Sequence, residues 1–183
     1  MALTRSGMVS LGTPMPAFAL VEANGNPLAS PSLAGKPVLV AFICNHCPYV
    51  KHIADGFAAF AREYKALGLE VIAINSNDYH EYPEDSPEKM RDEISARGYV
   101  FPYLVDETQL VAQAFGAACT PDFFLYDAGH KLVYRGQFDG SRPGNGEPVT
   151  GADLRAAADA VLTGGKMPAE QTPSIGCNIK WRT

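Results

Sequence analysis

The sequence has few cysteines, no long apolar run, no excess of basic charge and a single tryptophan. Four Cys among 183 residues are too sparse for a secreted scaffold in which disulfides replace a core. No stretch approaches the ~18 consecutive apolar residues of a membrane span. Residues 1–10 hold one basic residue, Arg5, and no apolar run of the ~7–15 residues that a signal peptide carries. A cytoplasmic location among reduced thiols is therefore expected, with no membrane partner. Fifteen Lys and Arg against twenty Asp and Glu give a net charge of −5. Nucleic acid is not an expected partner, because phosphate binding depends on a basic surface. Repeats and low-complexity linkers are absent too, and the length is about that of one domain.

What is present is a core. The chain is 46% hydrophobic with nine Phe and eight Tyr, enough apolar surface to fold without staples. Within Gly12–Pro31, Asn24-Gly25-Asn26-Pro27 signals a turn between two short strands. Val38–Ile43 is a continuous, β-branched apolar run, the pattern of a strand buried on both faces. Val50, Ile53, Phe57, Phe60 and Tyr64 then follow helical spacing up to Gly68, and Leu69–Ile74 reads as a second buried strand. Ser86-Pro87-Glu88 has the chemistry of an N-cap, a first-position proline and an acidic first turn, predicting a helix to about Arg97. Val100–Val105 reads as a strand and Thr108–Ala117 as a helix. Asp122–Tyr126 and Lys131–Arg135 form a hairpin, and Gly151–Leu162 an Ala-rich helix. The alternation predicts an α/β fold with a parallel portion and an antiparallel edge. The expected division is a domain over 10–165 and a C-terminal tail over 166–183, without period, packing on it.

The cysteines are unevenly placed. Cys44 and Cys47 enclose Asn45-His46 at the junction of a buried strand and a helix, while Cys119 and Cys177 stand alone. A helix N-terminus offers unpaired N–H groups and a positive dipole end, which favour thiolate over thiol. Thiolate is the reactive form in disulfide exchange, and a protonated His46 adds a second positive source. With Pro48 in the first helical position it prefers, Cys47 becomes the N-cap and feels the helix end most. A zinc half-site is the competing reading of the same spacing, yet neither remaining Cys has the knuckle spacing to complete it. Soft thiolates with His46 also suit Cu(I), so a Cu(I) or Zn(II) carrier using Cys44, Cys47 and His46 stays as an alternative.

Gly12-Thr13-Pro14-Met15-Pro16-Ala17-Phe18, Gly35-Lys36-Pro37 with the strand after it, Cys44-Asn45-His46-Cys47 and Thr120-Pro121-Asp122-Phe123-Phe124 occur in an order that resembles the thioredoxin-like superfamily. Within it the sequence is most similar to the peroxiredoxin-like branch, alkyl hydroperoxide reductase/thiol-specific antioxidant, over about Ser10–Leu162. The resemblance implies a three-layer α/β sandwich: a mixed central sheet, flanking helices and an N-terminal β-hairpin. It also implies a redox-active Cys44–Cys47 pair needing no metal or organic cofactor, and a cis-proline, Pro121 after Thr120, facing the pair. By the superfamily's usual assignment Cys44 attacks; by the helix-end argument Cys47 does. The sequence departs from thioredoxin in lacking a Trp ahead of Cys44. It departs from peroxiredoxins in placing Cys44 where Thr precedes the peroxidatic Cys, and Thr120-Pro121 where an Arg is expected. The function implied is thiol–disulfide exchange with a protein or small-molecule disulfide, supplied by a thioredoxin- or glutathione-type donor. Thiol peroxidase chemistry, with Cys47 peroxidatic and Cys44 resolving, is the alternative. His46 inside the pair resembles disulfide oxidases and isomerases, which implies a couple more oxidising than thioredoxin's.

Thr120, Cys119 and Cys177 are accessory candidates. Cys119 lies two residues before Pro121, within possible reach of the pair, and Cys177 sits in a tail that Ile179 and Trp181 could anchor over the site. A Cys119–Cys177 relay is one expectation; a buried hydrophobe and an incidental surface thiol are the other. His52 is expected on the solvated side of its helix. The whole net charge falls in residues 75–93, where seven acids face Lys89 and Arg91. That segment reads as an exposed helix and loop.

Overall fold

The structure, a computed structural model, describes residues 2–183. In chain order its elements are β1 (Leu3–Arg5), β2 (Ala19–Glu22), β3 (Pro27–Ala29), β4 (Val38–Phe42), α1 (Pro48–Ala66), β5 (Glu70–Asn75), α2 (Pro87–Arg97), β6 (Tyr103–Val105), α3 (Leu110–Phe115), β7 (Cys119–Thr120), β8 (Asp122–Tyr126), β9 (Leu132–Gly136), α4 (Ala152–Thr163) and β10 (Ile175–Asn178). Seven strands form a mixed sheet in the order β3-β2-β6-β5-β4-β8-β9. β4, β5 and β6 run parallel, whereas β8 and β9 continue the sheet antiparallel beyond β4. The N-terminal hairpin forms as expected, with Ala19 opposite Ala29 and Gly25 in its turn at a φ of 96° that favours glycine.

All five residues of β4 are buried, and successive side chains enter different cores. Leu39 and Ala41 join Ile53, Phe57, Phe60 and Leu154 on one side; Val38, Val40 and Phe42 join Phe18, Ala112 and Phe115 on the other. Helices therefore cover both faces, and the apolar run has no polar partner residue to show an alternation. On the α1 side Phe57 packs against Phe60, Phe101, Phe123 and Phe138 with ring centroids 5.2–6.2 Å apart. Each fully buried ring of this kind contributes about 1.5–3 kcal/mol. Ser86 caps α2 by accepting the Lys89 N–H, and Gly98 closes it in the left-handed conformation, as the local sequence predicts. The strand read over Val100–Val105 begins only at Tyr103.

A second sheet, β1-β10-β7, differs from the sequence reading, in which the tail had no regular element. β10 lies between β1 and β7, antiparallel to both, with Cys177 opposite Leu3 on one side and Thr120 on the other. Main-chain pairing thus ties the C-terminal segment to the residues preceding Pro121. The close approach depends on Gly176, where a Cβ would overlap the Thr120 carbonyl oxygen. No helix of the described residues is long and apolar enough to cross a membrane.

Candidate redox site

Cys44 follows the carboxyl end of β4, and Cys47 is the N-cap of α1 with Pro48 next to it. The Thr120–Pro121 peptide between β7 and β8 is cis. Thr120 faces both sulfurs: its hydroxyl is 3.4 Å from Cys44 Sγ, and its carbonyl oxygen 3.4 Å from Cys47 Sγ. Cys177 Sγ is 2.8 Å from Cys47 Sγ. Cys47 is wholly buried, and Cys44 and Cys177 are nearly so.

The three sulfurs divide into one acid and two reluctant thiols. A hydrogen bond from Cys44 lowers the Cys47 thiol to about 5 against the opposition of burial, helped by the Cys177 thiol and the backbone N–H groups of Val50 and Cys177. Val50 supplies the third amide of α1, so one of these donors is an unpaired helix-end N–H. Cys44 is pushed well up by burial, by donating to Cys47 and by the charges of Asp85 and Cys47. Cys177 is pushed up to about 12 by burial, then by its hydrogen bond and proximity to Cys47. Cys47 is thus the most acidic of the three sulfurs, in contact with Cys177 and with the Thr120 carbonyl oxygen.

Beneath the pair lies a carboxylate. Asp85, 1% exposed, accepts from the Asn45 N–H at 2.7 Å, Asn75 Nδ2 at 3.2 Å, Asn77 Nδ2 at 2.9 Å and His46 Nδ1 at 2.5 Å. Asn45 is held further by the Tyr103 hydroxyl, which donates to its Oδ1 at 2.9 Å, and His46 stacks on Tyr82. The hydrogen bond to Asp85 raises His46 despite its partial burial. Burial pushes Asp85 up, but hydrogen bonds from His46, Asn77 and Asn45 outweigh it and leave the carboxyl below its ordinary range. The buried Asp85 carboxylate thus favours the protonated form of His46.

The acidic segment is accordingly more than an exposed helix and loop: Asn75, Ser76, Asn77, Asp78 and Asp85 are buried. Asp85 escaped the sequence reading because it stands among seven acids. The usable signal was three asparagines, Asn45, Asn75 and Asn77, at the carboxyl ends of two adjacent parallel strands, where open α/β sheets place their sites. Cys44, His46 and Asp85 bring ligand atoms within 4.8 Å of one another. Cys47 is not in that set, and the Asp85 oxygens already accept four N–H groups, so the Cys44, Cys47 and His46 donor set of a metal carrier is not the one gathered.

Cys119 is buried with its sulfur near the Pro121 carbonyl. Register opposes Cys177 to Thr120 and Asn178 to Cys119, and successive strand residues point to opposite faces. Cys119 therefore turns away from Cys177, and burial with the charge of Asp122 raises its thiol far above the ordinary range. The relay joining those two is replaced by a contact between Cys177 and Cys47. His52 differs from expectation also, being partly buried with Nε2 2.6 Å from Ser141 Oγ.

Behind Pro121, Asp122 is completely buried. Its Oδ1 accepts from Ser6 Oγ at 2.7 Å, and Oδ2 has no partner among the described residues. Burial raises the carboxyl to about 7, against hydrogen bonds from Ser6 and the Ala118 and Phe123 N–H groups. A carboxyl that holds its proton more tightly when folded favours the folded state at low pH, and that advantage is lost as pH rises through about 7. Between pH 5 and 8 the loss should be about 2–3 kcal/mol, at 1.36 kcal/mol per pKa unit. Urea midpoints should show this slope in the wild type and its disappearance in Asp122→Asn; equal slopes would exclude Asp122 as its source.

The sequence model of the AhpC/TSA family matches residues 11–135. This chain belongs to the AhpC/TSA family. A solved structure of a hypothetical protein from Sinorhizobium meliloti 1021 is similar throughout, with 54% identity, 98% of each chain covered and a TM-score of 0.96. The thiol-disulfide oxidoreductase ResA of Halalkalibacterium halodurans is 28% identical over 116 residues, 63% of this chain and 62% of that protein. A Mycobacterium tuberculosis protein provisionally assigned as a peroxiredoxin is 29% identical over 116 residues, 63% of this chain and 69% of its own. The match thus spans less than two thirds of the ResA protein's length. More distant solved structures share the thioredoxin-like α/β fold with its mixed central sheet.

Proposed function

We propose that this AhpC/TSA protein is a thiol–disulfide oxidoreductase, exchanging its Cys44–Cys47 dithiol with the disulfide of a protein or small molecule. The observation that carries the reading is the placement of Cys44 and Cys47 at the start of α1, both sulfurs 3.4 Å from Thr120 of the cis Thr120–Pro121 peptide, with the Cys47 thiol lowered to about 5. Cys47 attacks one sulfur of the substrate disulfide, whose other sulfur leaves as thiolate and takes up a proton. A neighbouring thiol then displaces the bound half, and the cycle closes with a Cys44–Cys47 disulfide and two substrate thiols. A thioredoxin- or glutathione-type donor in the cytoplasm returns the pair to the dithiol.

Thr120, 3.4 Å from each sulfur of the pair, and the cis Pro121 form the buried wall beside the sulfurs. His46 and Asp85 hold the Asn45-His46 turn and supply positive potential beside the sulfurs. Stabilising the reduced form makes the corresponding disulfide more oxidising, and the donors around Cys47 act in that sense. Equilibration in glutathione buffers, acid quenching and peptide mapping test the reading: a Cys44–Cys47 disulfide should accumulate at a potential above thioredoxin's ≈ −270 mV, and the reduced protein should accelerate insulin reduction. Absence of that disulfide, with insulin reduced no faster than by dithiothreitol alone, overturns it. Rapid oxidation of Cys47 by hydrogen peroxide would favour the peroxidase reading instead; the rate of free cysteine would eliminate it.

A further inference from the structure

We propose that Cys177 is a third exchanging thiol, which resolves mixed disulfides formed on Cys47 by way of a transient Cys47–Cys177 disulfide before Cys44 completes the cycle. The proposal rests on the exchange reading above and adds a residue and an order of events to it.

Three observations place Cys177 in this role. Its sulfur is 2.8 Å from Cys47 Sγ, the shortest contact that Cys47 makes. β10 holds it there by register, with Cys177 opposite Thr120 and Leu3, and Gly176 allows the main chains to close up. It also borders a groove of about 230 Å³ with Ala2, Leu3, Pro48, Tyr49 and Gly176, so the third sulfur lies between the buried thiolate and solvent.

The electrostatics give the order. While Cys47 is a thiolate, Cys177 donates to it and is held protonated. Once Cys47 is bound to a substrate sulfur, both that charge and that acceptor are gone, and burial, the largest of the three influences, is left to oppose Cys177 ionisation. The same holds for Cys44, but the Asp85 charge still opposes its ionisation, whereas Lys180 assists that of Cys177. Cys177, already 2.8 Å from Cys47 Sγ, therefore resolves first.

The bonds balance. Cys47 thiolate and R–S–S–R′ give Cys47–S–S–R and R′S⁻, which takes the Cys177 proton. Cys177 thiolate attacks Cys47 Sγ, forming Cys47–S–S–Cys177 and expelling RS⁻. Cys44 then attacks Cys47 Sγ, giving Cys44–S–S–Cys47 while its proton passes to Cys177. The last step is an isomerisation without net redox change. Overall the substrate disulfide gains the two electrons that the Cys44–Cys47 dithiol loses.

Reaction with 5,5′-dithiobis(2-nitrobenzoate), followed by acid quenching and peptide mapping, tests this. Cys44→Ser should release two equivalents of thionitrobenzoate and finish as a Cys47–Cys177 disulfide. In otherwise wild-type protein, Cys177→Ser should slow the second equivalent, measured relative to the first, by about an order of magnitude. Should Cys44→Ser not fold, the wild-type time course serves, and a Cys47–Cys177 linkage should rise and fall before Cys44–Cys47 appears. A mixed disulfide that persists on Cys47 of Cys44→Ser with Cys177 still alkylatable overturns the proposal, as does an unchanged second phase in Cys177→Ser. Both outcomes leave the exchange reading intact; a wild-type protein whose Cys47 never reacts overturns that reading as well.

Discussion

At pH 5, Cys47→Ser is expected to cleave a small aromatic disulfide at least about a hundredfold more slowly than the wild type, an advantage that disappears near neutral pH. With its thiol lowered to about 5, half of Cys47 is thiolate at that pH. A thiol near its ordinary 9 would be ionised to about one part in 10⁴, and burial holds Cys44 higher still. The gain in thiolate is offset by weaker intrinsic nucleophilicity, about 10² over four units at a Brønsted slope of 0.4–0.5. Roughly 10² remains at pH 5, and where both thiols are ionised the thiolate of lower pKa is the slower one by a similar factor. Near neutrality the two effects nearly cancel, so a single assay there would miss the distinction. Cys44→Ser should keep the first-turnover rate, because a serine hydroxyl can still donate to the Cys47 thiolate. Cys44→Ala removes that donor, the strongest influence on Cys47, and should move the midpoint of the pH profile upward. Stopped-flow release of the chromophoric thiol from pH 4 to 9 reads all three variants. A Cys47→Ser profile that keeps the low-pH limb, with Cys44→Ser losing it, would make Cys44 the nucleophile.

Those two cysteines could be placed from sequence because local chemistry fixes their surroundings. A run buried on both faces has to be an interior strand, and a proline one residue past Cys47 starts a helix. Ser86-Pro87-Glu88 announced α2 for the same reason: a cap is local. β1, β7 and β10 are only two to four residues long, and their pairing joins residues 57 to 174 positions apart, so no window along the chain carries the signal. In β10 the periodicity is further hidden by Gly176, placed there by the nearness of the Thr120 carbonyl and not by any need of its own strand. Cys177 was recognisable as a thiol on an anchored tail, but its partner follows from register, which was out of reach. Asp85 shows the same limit in another form. Seven carboxylates in one segment carry equal weight in a composition, and burial under Asn45 and His46 singles one out.

Removing that carboxylate is expected to destabilise the protein by about 3–5 kcal/mol, the usual consequence of deleting one partner from a buried ion pair. Asp85→Ala leaves the Asn45 N–H, Asn75 Nδ2, Asn77 Nδ2 and His46 Nδ1 without their common acceptor. Asp85→Asn keeps one oxygen but turns an amide N–H₂ toward donors, so it should recover only part of the loss. At 2–4 °C per kcal/mol for a chain of this size, the melting temperature of Asp85→Ala should fall by roughly 6–20 °C. The pH dependence separates this from an ordinary packing defect. Asp85 is lower in the folded state, so its contribution is complete above the ordinary value of 3.8 and fades as pH falls through the depressed value. His46 is higher in the folded state, so its contribution is complete below 6.5 and fades as pH rises through the elevated value. The pair therefore stabilises the fold most between those two limits, and the difference between wild type and Asp85→Ala should peak there and shrink on either side. The His46 ring resonances should titrate lower in the variant, since the hydrogen bond that raises them is gone. A stability difference independent of pH, with His46 titrating unchanged, would mean that Asp85 acts as a filler of space and not as the anion that holds the histidine beside the redox pair.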